Sequence, residues 1–454
     1  MRTLLIRNAT IATSEKVFDG DVLVEDGVVA ALGPSLAAGA ATVVDAKGKY
    51  LLPGGVDAHT HFDLDTGAAR ASDDFHTGSI AAACGGTTTI IDHMGFGPKG
   101  CDLFHQARVY HRLAERCVVD YGFHGVIQSV DDKTLDDMER LRDDEGISSL
   151  KVYLTYGFKL GDGEVFQVLR RAGELGLVIC AHCENDGVID VLRREMIAKG
   201  HTAPRYHPLS RPAGTEAEAV GRFLALAALA GDPLTYVVHL STRLGLDTIR
   251  AAREGGQKNI LAETCPQYLL LDDTRYEDPG EGLKYIMSPP LRKPADQEAL
   301  WEGLRREDID TVATDHCPFL FSTQKQGHDF ASCPGGAPGV ELRMPLLFSE
   351  GFMKGRMSLP QVVRACSTRP AEIFGIAPRK GDIRPGADAD FVLVDPGVEW
   401  TVQRNRLHEN VDYTPYEGLR IKGAPVATYS RGELVAENGR FLGSAGRGRY
   451  LRRS

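Results

Sequence analysis

Short apolar runs ending in glycine or a polar residue alternate, through the middle of this chain, with longer stretches whose apolar positions recur at helical spacing. The short runs predict eight strands: Gly55–Phe62, Thr87–His93, Asp120–Gln128, Ser149–Tyr156, Leu177–Glu184, Thr235–Ser241, Asn259–Leu271 and Thr311–His316. Between them lie helical stretches such as Glu216–Ala230, apolar and poor in β-branched residues. Strand and helix in strict alternation imply parallel βα units, and eight such units imply an α/β chain folded as a (β/α)8, or TIM, barrel. The ends of the chain read differently. Thr3–Ile11, Asp21–Leu32 around the turn Glu25-Asp26-Gly27, and Thr42–Leu52 read as strands, as do Asp388–Asp395 and Pro425–Glu437. Chain ends often meet in space, so these segments predict a small composite β-sandwich. The expected division is residues 1–52 and 381–454 for the sandwich, with the C-terminal tail, and 53–380 for the barrel.

Composition narrows the partners. A chain of 454 residues exceeds the size at which a single core stops growing, which suits a barrel with a satellite. The formal net charge is −10 and no long basic stripe precedes the C-terminal end, so no nucleic acid and no anionic membrane is expected as partner. A small, uncharged substrate fits better. The opening Met1–Thr10 is too short an apolar run for a secretory leader, and no later run is long enough to span a bilayer, so the expected location is cytoplasmic. Nine cysteines, an odd number, point to free thiols. Cys180 and Cys183 form a CxxC spacing without the second pair a zinc ribbon needs, and they read as strand and loop residues. The basic segment Arg447–Arg453 reads as a solvated or subunit-contact stretch.

Six residues carry candidate metal chemistry, and each follows or ends a short apolar run of strand character. His59 and His61, at i and i+2, project together from the first strand. In Leu150-Lys151-Val152-Tyr153-Leu154 the three aliphatic residues share the face that packs under helices, which turns Lys151 toward the barrel interior. A bare ammonium there is costly. Addition of carbon dioxide to the amine would make it an anionic carbamate, N6-carboxylysine, able to bridge two cations; the alternative is a lysine that snorkels out of the mouth. His182 and His239 end apolar runs and suit a second metal, though a lone strand histidine is more often a satisfied core residue. Asp315 ends the eighth strand, where a carboxylate can reach both a metal and an attacking water; otherwise it is a cap or loop residue. His93, His124 and His316 also lie near strand ends and stay unassigned, with His316 expected to point away from Asp315.

The order His-x-His, Lys, His, His, Asp resembles the binuclear amidohydrolase superfamily, and within it the hydantoinase and dihydropyrimidinase family. Pro53–His61, Gly85–Asp92, Ser288–Arg292 and Ala313–Pro318 are close to that family's own phrases, and the match runs nearly end to end, nearest to its D-selective aryl-hydantoin members. The resemblance implies two divalent ions per subunit, zinc by the donor set, one held by His59, His61, carboxylated Lys151 and Asp315, the other by Lys151, His182 and His239. It implies hydrolysis of a cyclic amide such as a phenyl-substituted hydantoin to an N-carbamoyl amino acid, with Asp315 passing a proton to the departing nitrogen. It implies Tyr156 as an oxyanion donor, Ser288 and the Gly335–Gly339 loop at the polar edge of the ring, Leu64, Tyr153 and Phe158 around the exocyclic group, and a homotetramer. Where members usually carry Asn this chain has Gly335, a looser residue.

Rival readings separate on single residues. Dihydroorotase-like relatives place an arginine two positions after the His-x-His pair to grip a carboxylate, and this chain has Asp63 there. Dihydropyrimidinase activity on dihydrouracil and allantoinase activity share the ligand set. Non-catalytic dihydropyrimidinase-like scaffold proteins have lost metal ligands, whereas all six stand here.

Overall fold

The computed structural model describes residues 3–453. Met1, Arg2 and Ser454, the outermost residues of the two expected β segments, lie outside that range. The N-terminal strands are β1 (Thr3–Ala12), β2 (Val17–Glu25), β3 (Val28–Gly33), β4 (Thr42–Asp45) and β5 (Tyr50–Pro53). The next eight are β6 (Gly55–Thr60), β7 (Thr87–His93), β8 (Asp120–Val126), β9 (Ser149–Tyr153), β10 (Val178–His182), β11 (Thr235–Val237), β12 (Ile260–Thr264) and β13 (Thr311–Val312). The last four are β14 (Phe391–Thr401), β15 (Arg420–Ser430), β16 (Glu433–Glu437) and β17 (Arg440–Phe441).

Strands β6 to β13 form one parallel sheet in sequence order. The sheet closes where Thr60 bridges His316 and the His61 N–H donates to the His316 carbonyl at 2.9 Å. Thr314 secures the seam by donating its hydroxyl and its N–H to Asp57, at 2.7 and 3.1 Å. The two chain ends meet in a second, mixed sheet, in which β5 pairs antiparallel with β14 (Leu52 with Val392) and parallel with β1. Strand β4 pairs beside β5 on β1, so the sheet branches and encloses its own core of Leu4, Ile6, Ile11, Val22, Phe391 and Leu393. Asp26 and Gly27, at φ 48° and 84°, make the tight turn between β2 and β3 that matches strand twist.

Several predicted strands are shorter in the structure, three of them for a local reason that is plain. Thr42–Leu52 splits at a turn through Lys47 and Gly48, the glycine at φ 77°. Asn259–Leu271 is a strand only to Thr264; Pro266, without an N–H to give a ladder, starts a helix over Pro266–Leu270. Thr311–His316 is a continuous strand only through Val312; Asp315 turns to φ 53°, and His316 then pairs with Thr60 as a single bridge.

The segment Arg447–Arg453 corrects the expectation of a solvated stretch. Leu451 and Arg453 are buried, and the segment lies against the N-terminal mouth of the barrel, with the Tyr121 N–H donating to Arg449 O and the Leu451 N–H to Tyr121 O at 3.0 and 2.7 Å. Alternation explains how so basic a stretch is buried: Arg452 stays exposed and donates to the last carbonyls of the helix Asp132–Glu145, while its neighbours turn inward. Among the described residues no helix is long and apolar enough to cross a membrane.

Candidate metal centre

The barrel brings all six predicted ligands to the C-terminal ends of its strands, where the βα loops leave room for chemistry. His59 Nε2 and His61 Nε2 lie 3.2 and 3.1 Å from the same Asp315 oxygen, Oδ1. The His59 and His239 rings are 5.5 Å apart, and those of His239 and His182 4.4 Å apart, so a second imidazole pair adjoins the first cluster. Lys151 is buried on β9 beside Cys180 of β10, with Nζ 5.3 Å from the Tyr153 ring centroid. Leu150, Val152 and Leu154 pack outward into the main core, as the alternation requires. Burial lowers the Lys151 pKa and so favours the neutral amine.

Three non-glycine residues of this site have positive φ: Tyr156 at 75°, His239 at 40° and Asp315 at 53°. Each costs about 1–3 kcal/mol, a strain held only where surroundings over-determine the backbone. For Tyr156 those surroundings are visible. Its N–H and the Thr155 hydroxyl both donate to Asp186 Oδ1 at 3.0 Å, and Lys159 holds the other oxygen at 2.5 Å.

The donor atoms suit a cation. His59 Nε2 is buried without a hydrogen-bond partner although Asp315 is close, an arrangement that fits atoms converging on an ion better than atoms bonded to each other. Two carboxylates fix the imidazoles from behind. The His59 Nδ1–H donates to Glu263 Oε1 at 2.6 Å, leaving Nε2 toward Asp315; His182 Nε2 is bound to Glu184 Oε2 at 2.8 Å, leaving Nδ1 free for the site. Burial opposes a charge on His59, yet Glu263 and Asp315 outweigh it and push the imidazole up to about 9. Burial pushes His61 down to about 4. The carboxylates thus favour one positive charge here, which a proton or a metal ion can supply. A second cluster, Cys84, Glu341 and His408, is closed on itself: Glu341 accepts the His408 N–H at 2.6 Å and its ring at 2.9 Å.

The ring-edge residues also converge. A hydrogen bond joins Tyr156 to Ser288, and burial raises the phenol to about 12, so it stays a donor. Gly335 sits near Ser288 with no positive φ, and a side chain there would meet nothing closer than 3.9 Å, so the absence of Asn leaves space rather than relieving a clash. The neighbouring Gly336 is the constrained one, at φ 153°, with its N–H on the Ile286 carbonyl at 2.9 Å. His316 does point away from Asp315: its ring meets Asp73 at 3.0 Å and accepts the Gly339 and Val340 N–H groups at 3.1 and 3.2 Å, ordering the same loop.

Around the mouth, Tyr153, Tyr156 and Phe158 pack with an aromatic that the sequence reading missed, Phe96, whose ring centroid is 3.4 Å from that of Phe158 and 5.2 Å from that of Tyr153. Leu64 lies beside Gly95, next to it. Asp63 does not face this space. It accepts Arg70 at 2.5 Å and the Phe75 N–H at 3.1 Å, so both it and the nearby guanidinium are committed to the loop. The sequence reading also missed Glu184 and Glu263. The signal for Glu263 was an acid inside the run Ile-Leu-Ala-Glu-Thr, as unexpected in a buried strand as Lys151.

Comparison with known proteins supports these observations. The model of the amidohydrolase family matches residues 50–435. The chain is 51% identical, over 99% of its length and 98% of the relative's, to the D-phenylhydantoinase of Escherichia coli O1:K1 / APEC. The dihydropyrimidinase of Brevibacillus agri NCHU1002 superposes with a TM-score of 0.97 at 45% identity, covering 100% of this chain and 99% of that one. The D-hydantoinase of Bacillus sp. AR9 gives 0.96 at 43%, covering 99% of each. With its barrel and this match along most of its length, the chain belongs to the amidohydrolase family.

Proposed function

We propose that this protein is a cyclic amidohydrolase that opens 5-substituted hydantoins of the phenylhydantoin type to N-carbamoyl amino acids. The observation that carries the reading is the juxtaposition of two imidazole pairs, Asp315 and a buried lysine with an aromatic wall at one barrel mouth. His59, His61, Asp315 and Lys151 would hold one divalent ion, and Lys151, His182 and His239 the other. The neutral amine that burial favours can add carbon dioxide, forming an N–C bond and losing a proton, and the resulting carbamate gives Lys151 two oxygen donors. Bound there, two ions, zinc by this donor set, supply Lewis acidity that activates water near neutral pH and polarises the ring carbonyl.

The chain's own groups do the rest. Asp315, ionised, accepts a proton from the attacking water and returns it to the ring nitrogen as the amide bond breaks. Tyr156 donates to the carbonyl oxygen as negative charge develops on it. Ser288 and the backbone at Gly335 receive the polar edge of the ring, while Leu64, Phe96, Tyr153 and Phe158 surround its substituent. The apolar wall favours an aryl group over the ureido group of allantoin, and the commitment of Arg70 to Asp63 leaves that guanidinium no part in binding a substrate carboxylate. Dihydrouracil is the second reading, since the superposing Brevibacillus structure is a dihydropyrimidinase.

The same proposal includes a homotetramer and a cytoplasmic location. The helix Asp186–Ala198 buries only Ile189 and exposes Val188 and Val191, which suits subunit contact, and nine free cysteines suit a reducing compartment. A side-by-side assay of 5-phenylhydantoin, dihydrouracil, allantoin and dihydroorotate tests the substrate. The expected order places phenylhydantoin first in kcat/KM, and a preference for allantoin or dihydroorotate would overturn it.

A further inference from the structure

The segment Arg447–Arg453 does more than cover the bottom of the barrel. We propose that Arg453 is a positioning residue for the metal centre, acting through Ser149 and His124 on the backbone that carries His59. Tyr450 bridges Tyr121 at the start of β8, and the Arg453 N–H donates to Gly146 O at 2.8 Å, which fixes the segment along the mouth. Tyr450 faces outward among His111, Tyr121 and Phe123, whereas Leu451 joins the barrel-interior cluster of Val56, Ile91, Cys180, Tyr236 and Phe374. Arg453, two residues on, enters beside Leu451.

There its guanidinium meets a defined set of acceptors. Nη2 donates to the Phe123 carbonyl, and Nη1 donates to Ser149 Oγ at 2.8 Å. Ser149 Oγ is 2.6 Å from His124 Nδ1, and His124 Nε2 is 2.9 Å from the Ala58 carbonyl. A guanidinium can only donate and a carbonyl can only accept, so Arg453 at one end and the Ala58 carbonyl at the other together set the direction of the bonds between them. Ser149 accepts from Arg453 and gives its own proton to His124 Nδ1. His124 is therefore the Nε2–H tautomer and donates to Ala58 O.

Both ends of this relay lie next to metal-ligand positions. The Ala58 carbonyl belongs to the peptide whose N–H is that of His59, and that N–H is held by Asp57 at 3.3 Å. Ser149 lies two residues before Lys151 on the same face of β9. The His124 ring also stacks on His93 at 4.2 Å, and His93 lies 4.2 Å from the His59 ring. Without the guanidinium, Ser149 can rotate its proton away from His124 Nδ1, which leaves the Ala58 carbonyl alone to favour the Nε2–H tautomer and loosens the hold on that carbonyl. Burial pushes Arg453 down to about 10, still charged near neutrality, so the relay keeps one polarity there.

The inference rests on the proposed metal ligands, and its tests keep the two apart. In 15N-histidine-labelled protein, the His124 resonances should report the Nε2–H tautomer in wild type and a mixture in both Arg453→Met and Ser149→Ala, a readout that needs no metal. In the cobalt-loaded holoenzyme, Arg453→Met should release metal to a chelator roughly 10-fold faster or more and shift the visible cobalt spectrum, with Arg453→Lys restoring part of both. Tyr450→Phe, which removes that side chain's bond to the Glu145 carbonyl and leaves the relay intact, should change neither. A wild-type tautomer in Arg453→Met and Ser149→Ala would overturn the relay, as would equal metal release from Tyr450→Phe and Arg453→Met. Failure of the wild type to bind cobalt would count against the proposed function instead, and the tautomer would still decide the relay.

Discussion

Glu263→Gln isolates what one buried charge does for the metal site. Glu263 receives three donors: the His59 Nδ1–H at 2.6 Å and the His239 N–H at 3.1 Å on Oε1, and the Tyr236 hydroxyl at 2.8 Å on Oε2. It therefore spans both imidazole pairs. Glutamine has the same shape but offers one acceptor oxygen and one NH2. The favourable orientation keeps the oxygen on the His59 and His239 side and turns the NH2 to Tyr236, which can accept because its own proton can pass to Thr311 Oγ1, 2.6 Å away. What is lost is then the charge on the bond to His59. Bonds to charged groups contribute about 1.5–3 kcal/mol and neutral ones about 0.5–1.5 kcal/mol, so the loss is about 1–1.5 kcal/mol, or roughly tenfold in metal affinity. Chelator competition measures it. The titration belongs above pH about 9, the value to which His59 is raised, because removing Glu263 also weakens the proton that competes with the metal. Wild-type affinity in Glu263→Gln under those conditions would refute the idea that this carboxylate fixes His59 for a cation.

Three further outcomes follow from the same geometry. Asp315→Asn should fold and melt like the wild type but lose turnover, since an amide cannot take the proton; near-normal kcat would remove the shuttle from Asp315. Tyr156→Phe should lower kcat by about 10²–10³ with metal content unchanged, and a change confined to KM would make the phenol a binding group only. Burial raises Glu184, but Arg211 and then His182 outweigh it and hold the carboxyl near 2 against its usual 4.5. Its contribution to stability is complete above the unfolded value of 4.5 and is lost as pH falls toward 2, so metal-free Glu184→Gln should lose less stability to urea than wild type across that window. Equal losses would contradict the pairing.

The barrel was legible because its strands are buried on both faces and interrupt the helical period as short apolar runs, with Thr87–His93 found to the residue. The six candidate ligands were legible for a related reason: a histidine, lysine or aspartate ending such a run conflicts with its surroundings unless something binds there. Glu263 and Glu184 carried the same conflict, but acids adjoin strand ends for many reasons and only the fold shows that they face His59 and His182. Strand ends were misjudged where one backbone angle decides them, as at Asp315, because apolar pattern carries no information about φ. The role of Arg447–Arg453 was hidden by charge: nothing local marks Arg453 as an arginine whose guanidinium meets buried acceptors more than 300 residues earlier.

The central claim is that one barrel mouth holds two metal ions joined by a carboxylated lysine. Native mass spectrometry of the protein purified without chelator measures this directly. The account predicts two divalent ions per chain together with the mass of one carbon dioxide, the carbon dioxide and the metal pair both lost in Lys151→Ala. A single ion per chain, or two ions retained by Lys151→Ala, would contradict it.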